Sequence, residues 1–244
     1  MSAEPAGPPL LAIDGLRFRW PGAAQDTLDI PALHFQAGEQ VFVHGPSGCG
    51  KSTLLSLLAG VLIAQQGRVA VNGLDWARVP SSRRDAWRAD QLGIVFQQFN
   101  LLPYLSVRDN VMLPCRFSRA RAQRATASHG GAAQAVAHWL AAMGLPSDLW
   151  VRPASTLSVG QQQRVAAARA LMGQPALVLA DEPTSALDEA RRSQFMDLLQ
   201  GACSSAGSAL LFVSHDQRLA TRFPRHLALP EVNRAAASAQ EASA

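Results

Sequence analysis

Apolar positions along this chain fall into two periodicities. Residues 10–20 and 27–35 have the spacing and residue types of strands, and Pro21 and Gly22 form a turn between them. Residues 40–44 are a short apolar run that opens onto a glycine-rich turn. Behind that turn, residues 51–63 carry dense apolar positions at helical period. Residues 67–72 alternate as a strand does, and residues 92–96 form another short apolar run. From about residue 98 to 160 the character changes to Ala-rich helical segments with few β-branched residues, which predicts a helical subdomain inserted into an α/β core. The core resumes as a helix over 161–172, a buried strand over 176–181, a helix over 188–200 and a buried strand over 209–214. Short apolar runs separated by helices predict a largely parallel sheet. One folded domain is expected over 10–230, with a disordered Pro/Ala/Gly-rich N-terminus over 1–9 and a flexible Ala/Ser-rich tail over 231–244.

Composition narrows the class. The chain has 244 residues, 48% hydrophobic and 16% charged, which is ordinary for a globular protein. It contains no run of about 18 apolar residues of the kind that crosses a bilayer. The N-terminus has neither a basic start nor an apolar stretch, so a cytoplasmic location is expected. Cys49, Cys115 and Cys203 are odd in number and far apart, which predicts reduced thiols and no metal-ligand spacing. The net charge of +4 is read as a solvated basic surface, and no nucleic-acid partner is expected.

The chemistry concentrates in a few motifs. Gly45, Pro46, Ser47, Gly48, Cys49, Gly50, Lys51 and Ser52 form a complete phosphate-binding loop between an apolar strand and a helix. Its glycines let successive N–H groups converge, and the helix N-terminus adds positive potential. Lys51 brings a cation to the β- and γ-phosphates, and the Ser52 hydroxyl suits Mg²⁺. Asp181 and Glu182 stand at the C-terminal end of a buried strand, where such sheets bind ligands. Asp181 suits Mg²⁺, and Glu182 can orient and deprotonate a water aimed at the γ-phosphate. Together these motifs predict hydrolysis of a nucleoside triphosphate with Mg²⁺; that the nucleotide is ATP is implied by the family resemblance that a third motif carries. Cys49 is read either as a small residue filling the loop or as a reactive thiol whose alkylation inactivates and against which MgATP protects.

The third motif, Leu157, Ser158, Val159, Gly160, Gln161, Gln162, Gln163 and Arg164 ahead of an Ala-rich helix, resembles the signature of ABC ATPases when read with the phosphate loop. Other positions agree with that family. Gln97 matches the Q-loop glutamine, which places it among the nucleotide and metal contacts. Asp188, after Ser185, Ala186 and Leu187, matches the D-loop. His215 matches the switch histidine that acts beside Glu182 and Lys51, and Trp20 matches the aromatic that stacks on adenine. Thr53 and Gln161 complete the nucleotide-binding set. The resemblance implies a P-loop NTPase core of ABC type with an N-terminal antiparallel β subdomain and the helical insert. It also implies a head-to-tail homodimer closing on two MgATP, with Ser158 and the Gly160 amide binding the γ-phosphate across the interface. Val159 stands where the family usually has Gly. Either this position is helical or extended, or the site is weakened, because a β-branched residue does not tolerate positive φ.

The segment from Val95 to Pro103, followed by Leu105 to Val111, resembles the lipoprotein-releasing and macrolide-exporter branch. The implied role is to drive a membrane permease from the cytoplasmic face of the inner membrane, for export or release of a lipoprotein, lipid or hydrophobic compound. The alternatives left open are a regulatory ATPase of the cell-division type and an importer subunit. Phe99, Leu101 and Leu102 are read either as an exposed groove for the permease's coupling helix or as core. Arg116, Arg119, Arg121 and Arg124 are read as a solvated loop or as a lipid-headgroup contact.

Overall fold

The computed structural model describes residues 7–185 and 187–235. Residues 1–6 of the expected disordered N-terminus, Ala186 of the D-loop motif and residues 236–244 of the expected tail lie outside the described residues. In chain order the elements are β1 (Leu11–Phe18), β2 (Leu28–Phe35), β3 (Gln40–His44), α1 (Lys51–Leu58), β4 (Gln66–Val71), β5 (Leu74–Asp75), α2 (Ser81–Gln91), β6 (Leu92–Val95), α3 (Val107–Phe117), α4 (Arg119–His129), α5 (Ala132–Ala142), α6 (Val159–Leu171), β7 (Leu177–Asp181), α7 (Glu189–Ala206), β8 (Ala209–Ser214), β9 (Arg225–Ala228) and α8 (Leu229–Val232). The chain forms two compact units. One holds the residues up to Asp85 together with those from Val213 on, and the other is Ala86–Phe212.

The first unit contains an antiparallel sheet in the order β2-β1-β4-β5. Leu11, Ile13, Leu16 and Phe18 of β1 face Phe35, Leu33, Ile30 and Leu28 of β2 in one unbroken register, and all eight are buried. Both strands lose strict alternation at the same level, between Ile13 and Leu16 and between Ile30 and Leu33. A register shift between Asp14 and Arg17 in the β1–β4 pairing resets which face is buried. β3 pairs in parallel with β9 in the same unit, and Val41, Phe42 and Val43 are buried.

In the second unit β6 pairs in parallel with β7, from Leu92 opposite Leu177 to Val95 opposite Ala180, and β8 neighbours β7. Leu177, Val178, Leu179 and Ala180 are all buried, which is why this strand reads as a continuous apolar run and not as an alternating one. α3, α4 and α5 make up the inserted helical region, with Trp139 of α5 among the largest fully buried side chains.

Three expectations are corrected. The helix expected to run to residue 63 ends at Leu58, because Gly60 adopts a left-handed φ of 66° and redirects the chain. Val61, which continues the apolar pattern, is exposed. The first residues of the expected tail are part of the folded structure, since α8 spans Leu229–Val232 and Asn233 is buried. The arginine cluster is helical and divided, with Arg116 and Arg119 exposed and the other two drawn inward. Arg121 and Arg124 lie on α4, and Arg121 is only 1% exposed. Its guanidinium donates to the carbonyls of Met172, Ala170 and Leu92, while Arg124 donates to those of Gly173 and Asp90. Burial, with the neighbouring Arg124 second, pushes the Arg121 guanidinium down to about 10, so it remains charged at neutral pH.

Candidate functional site

In the first unit the strand β3 delivers the chain into the phosphate loop at Gly45. Gly48 and Gly50 adopt φ of 83° and 101°, which other residues avoid. Gly50 is the N-cap of α1, and no side chain caps this helix. The first intrahelical bond runs from the Leu54 N–H to the Gly50 carbonyl at 2.8 Å, so the preceding first-turn N–H groups have no partner within the helix. Anions bind at such termini. Lys51 is buried, and its Nζ donates to the carbonyls of Gly45 (2.8 Å) and Pro46 (3.0 Å), folding the cation back over the loop. The Ser52 side chain is exposed.

Cys49 is half-buried, and its sulfur occupies space that a Cβ on Gly45 would need, 2.6 Å away. The thiol therefore also fills the loop, as one of the two sequence readings expected. Trp20 is 44% exposed and packs edge-on against Phe18 at 5.3 Å. Its indole N–H donates to the Thr53 hydroxyl at 3.4 Å, tying the aromatic to the first turn of α1. A cavity of about 440 Å³ beside it is lined by Arg17, Arg19, Trp20, Asp26 and Gln65 among others. His215, after β8, is exposed and belongs to this unit.

The second unit holds the carboxylates and the signature. Asp181 ends β7 half-buried, and Glu182 follows in the left-handed region at φ 47°. A non-glycine residue at that angle carries local backbone strain. The Ser185 N–H donates to the Glu182 carbonyl at 3.2 Å and closes the turn. Gln97 is exposed in the turn after β6. Phe99 and Asn100 also have positive φ, 59° and 48°, and their carbonyls both accept from Arg169 at 2.6 Å. Phe99 is buried and serves as core, whereas Leu101 and Leu102 are half-buried and Tyr104 is exposed. Close by, a groove of about 400 Å³ is lined by Leu92, Ile94, Phe96, Leu113 and Phe117, with Arg121 at its base, and Phe117 is 77% exposed.

Ser158 is the N-cap of α6 in a complete capping box. Its hydroxyl accepts from the Gln161 N–H at 3.4 Å, and the Gln161 carbonyl Oε1 accepts from the Ser158 N–H at 3.0 Å. Val159 is the first helical residue, half-exposed, and neither it nor Gly160 has a positive φ. The valine that departs from the family pattern is thus helical and makes no demand on left-handed space. Asp188 caps α7, accepting from the Arg191 N–H at 2.9 Å.

Trp20, the phosphate loop, Thr53 and His215 thus share one unit, and Gln97, the signature, Asp181, Glu182 and Asp188 share the other. The Ser52 hydroxyl in the first unit, and separately the Gln97 and Asp181 side chains in the second, each present oxygen acceptors of the hard kind that Mg²⁺ takes. Arg169 and Asn233 were not singled out by sequence reasoning. The acceptors of the first are main-chain carbonyls about seventy positions away, and the second sits in a stretch whose composition reads as tail.

Among the described residues no helix is long and apolar enough to cross a membrane. The family model described as "ABC transporter" matches residues 28–185. The lipoprotein-releasing system ATP-binding protein LolD of Legionella pneumophila (strain Lens) is 40% identical over 82% of this chain and 84% of that protein. The LolD of Anaeromyxobacter dehalogenans (strain 2CP-C) is 41% identical over 91% of each. A probable export ATP-binding/permease protein MacB of Pseudomonas entomophila (strain L48) is 36% identical over 91% of this chain and 32% of its own length. Among solved structures, a dimeric ATP-binding cassette in a post-hydrolysis state with ADP and Pi superposes with a TM-score of 0.76 at 30% identity, covering 90% of this chain and 94% of that one.

Proposed function

We propose, from the premise that this chain belongs to the ABC transporter family as an ATP-binding and ATP-hydrolysing subunit, that it drives a membrane permease in the export or release of a lipoprotein, lipid or hydrophobic compound. The observation that carries the catalytic part is the uncapped first turn of α1 under a loop closed by Lys51. A phosphate chain entering there finds N–H donors without helical partners, and Lys51 can exchange its two loop carbonyls for phosphate oxygens. Trp20 offers its exposed face to adenine, and its bond to Thr53 fixes the distance between base platform and loop. Ser52, Gln97 and Asp181 would hold Mg²⁺, which supplies charge neutralisation on the phosphate oxygens. Glu182 accepts the proton of the attacking water, and His215 contacts the γ-phosphate. Two copies close head to tail, so that Ser158 and the Gly160 amide of one reach the γ-phosphate held by the other.

The transport part rests on the relatives' names and on the apolar groove beside Phe117, which suits a short helix of a permease. On this reading the chain works at the cytoplasmic face of the inner membrane. The test is to purify Glu182→Gln from detergent-solubilised membranes in MgATP and identify what accompanies it. Hydrolysis should fall roughly 10²–10⁴-fold, and a four-helix permease with a large extracytoplasmic domain should remain bound. A many-helix permease would make the chain an importer subunit. No membrane partner at all would remove the transport role and leave the ATPase.

A further inference from the structure

The phosphate loop is braced from behind by the end of the chain. Asn233, one residue past α8, is 2% exposed, and its side-chain amide joins three segments. The oxygen accepts from the Asp29 N–H at 2.8 Å and the Ala235 N–H at 3.3 Å. The nitrogen donates to the Thr27 carbonyl at 3.0 Å and to the Cys49 carbonyl at 3.5 Å. Cys49 is the residue before Gly50, whose left-handed conformation aims the first turn of α1. The same segment also presses on the other end of the loop. A Cβ on Gly45 would meet the ring of Pro230, the proline of α8, at 3.1 Å.

We infer that Asn233 is a positioning residue for nucleotide binding. It acts through the Cys49 carbonyl and, with Pro230, sets the loop's conformation from the side opposite the phosphates. The physical reason is the absence of any side-chain cap on α1. A loop whose N–H groups must stay available to a ligand cannot hold itself by using them, so its shape has to be fixed through its carbonyls. Two of these carbonyls, of Gly45 and Pro46, are held by Lys51, which the phosphates recruit. The Cys49 carbonyl is held by a group that never meets the ligand, and that bond can persist while Lys51 changes partners. The inference rests on the reading of this loop as the phosphate site.

Asn233→Asp tests it. The carboxylate keeps the acceptor for Asp29 and Ala235 but loses both donors. Losing a hydrogen bond of ordinary strength raises KM for ATP and Kd for ADP roughly 3–10-fold, while kcat stays within about twofold because Glu182 and His215 lie elsewhere. Cys49 serves as a second readout that needs no nucleotide. Site-resolved alkylation by mass spectrometry should show it modified several-fold faster in the variant. Cys203 is an internal control, since burial pushes its thiol up to about 12. Asn233→Ala, checked for the same unfolding temperature, should reproduce the KM effect. Unchanged KM and unchanged Cys49 alkylation, or a fall in kcat at constant KM, would overturn the inference. If the wild type bound no ADP, the phosphate-site reading and the inference resting on it would both fall, and altered Cys49 alkylation would then report loop packing alone.

Discussion

The protein carries two helix N-termini proposed to meet the same triphosphate, and they are built oppositely. α1 begins at Gly50, in a left-handed conformation and without a side-chain cap. α6 begins at Ser158 inside a full capping box. A capping box satisfies its own end of the helix and makes it stable before any ligand arrives. A glycine cap supplies no side-chain acceptor of its own, and the loop is held instead by the Lys51 side chain and by Asn233. On the proposed reading, the terminus that would grip the nucleotide gives up local stability for ligand contact. The terminus proposed to close over it from a second copy is capped by its own residues and needs no second copy to stay folded. Gripping and sensing thus need different helix starts.

Lys51→Ala attacks the first design most directly. It removes charge-assisted bonds worth about 1.5–3 kcal/mol, so ATP affinity should fall roughly 10–100-fold. A Kd within twofold of wild type, by titration calorimetry, would erase the proposed role of the folded-back cation. Ser158→Ala attacks the second. Losing an N-cap costs about 0.5–2 kcal/mol, which lowers Tm by roughly 2–4 °C per kcal/mol in a chain of this size. The drop should appear without nucleotide, whereas Lys51→Ala, which ligand-free loses only its bonds to the Gly45 and Pro46 carbonyls, should lose more Tm in MgATP than without it. A Lys51→Ala deficit no larger in MgATP than without it would dissolve the contrast between a ligand-dependent and a self-sufficient helix start. Val159→Gly is the mildest. The position is helical and exposed, so ATPase activity should change by less than about tenfold, and Tm should barely move, because glycine here replaces a β-branched residue that is itself a weak helix former. Near-complete loss of activity would mean that this side chain touches the nucleotide or the second copy.

Reading the sequence located strands β1, β2, β3, β7 and β8 to within a residue or two, because each pairs a distinctive apolar run with turn residues on either side. The phosphate loop and the signature were visible for a related reason: their chemistry is local, and a few adjacent residues specify it. What stayed hidden depends on partners distant along the chain. Arg121 is indistinguishable in sequence from Arg116, yet one is sealed among main-chain carbonyls from β6 and the end of α6 and the other is paired with Asp109 near the surface. Asn233 sits in a stretch dominated by small residues, and nothing local says that Thr27, Asp29 and Cys49 converge on it. The end of α1 was misjudged for the opposite reason, since Val61 and Leu62 extend the apolar period past the glycine that stops the helix.

The carbonyl-bound arginines of α4 have a mechanical consequence. Arg121 and Arg124 engage main chain at Leu92, Met172 and Gly173, positions fixed by β6 and by the loop leaving α6. Side chains can rotate and absorb a displacement, but backbone in a buried strand cannot do so cheaply. A push on the outer surface of α4 therefore reaches the strand beside the carboxylate-bearing β7 with little compliance in between. A stiff linkage of this kind lets a small stroke at one end arrive undiminished at the other.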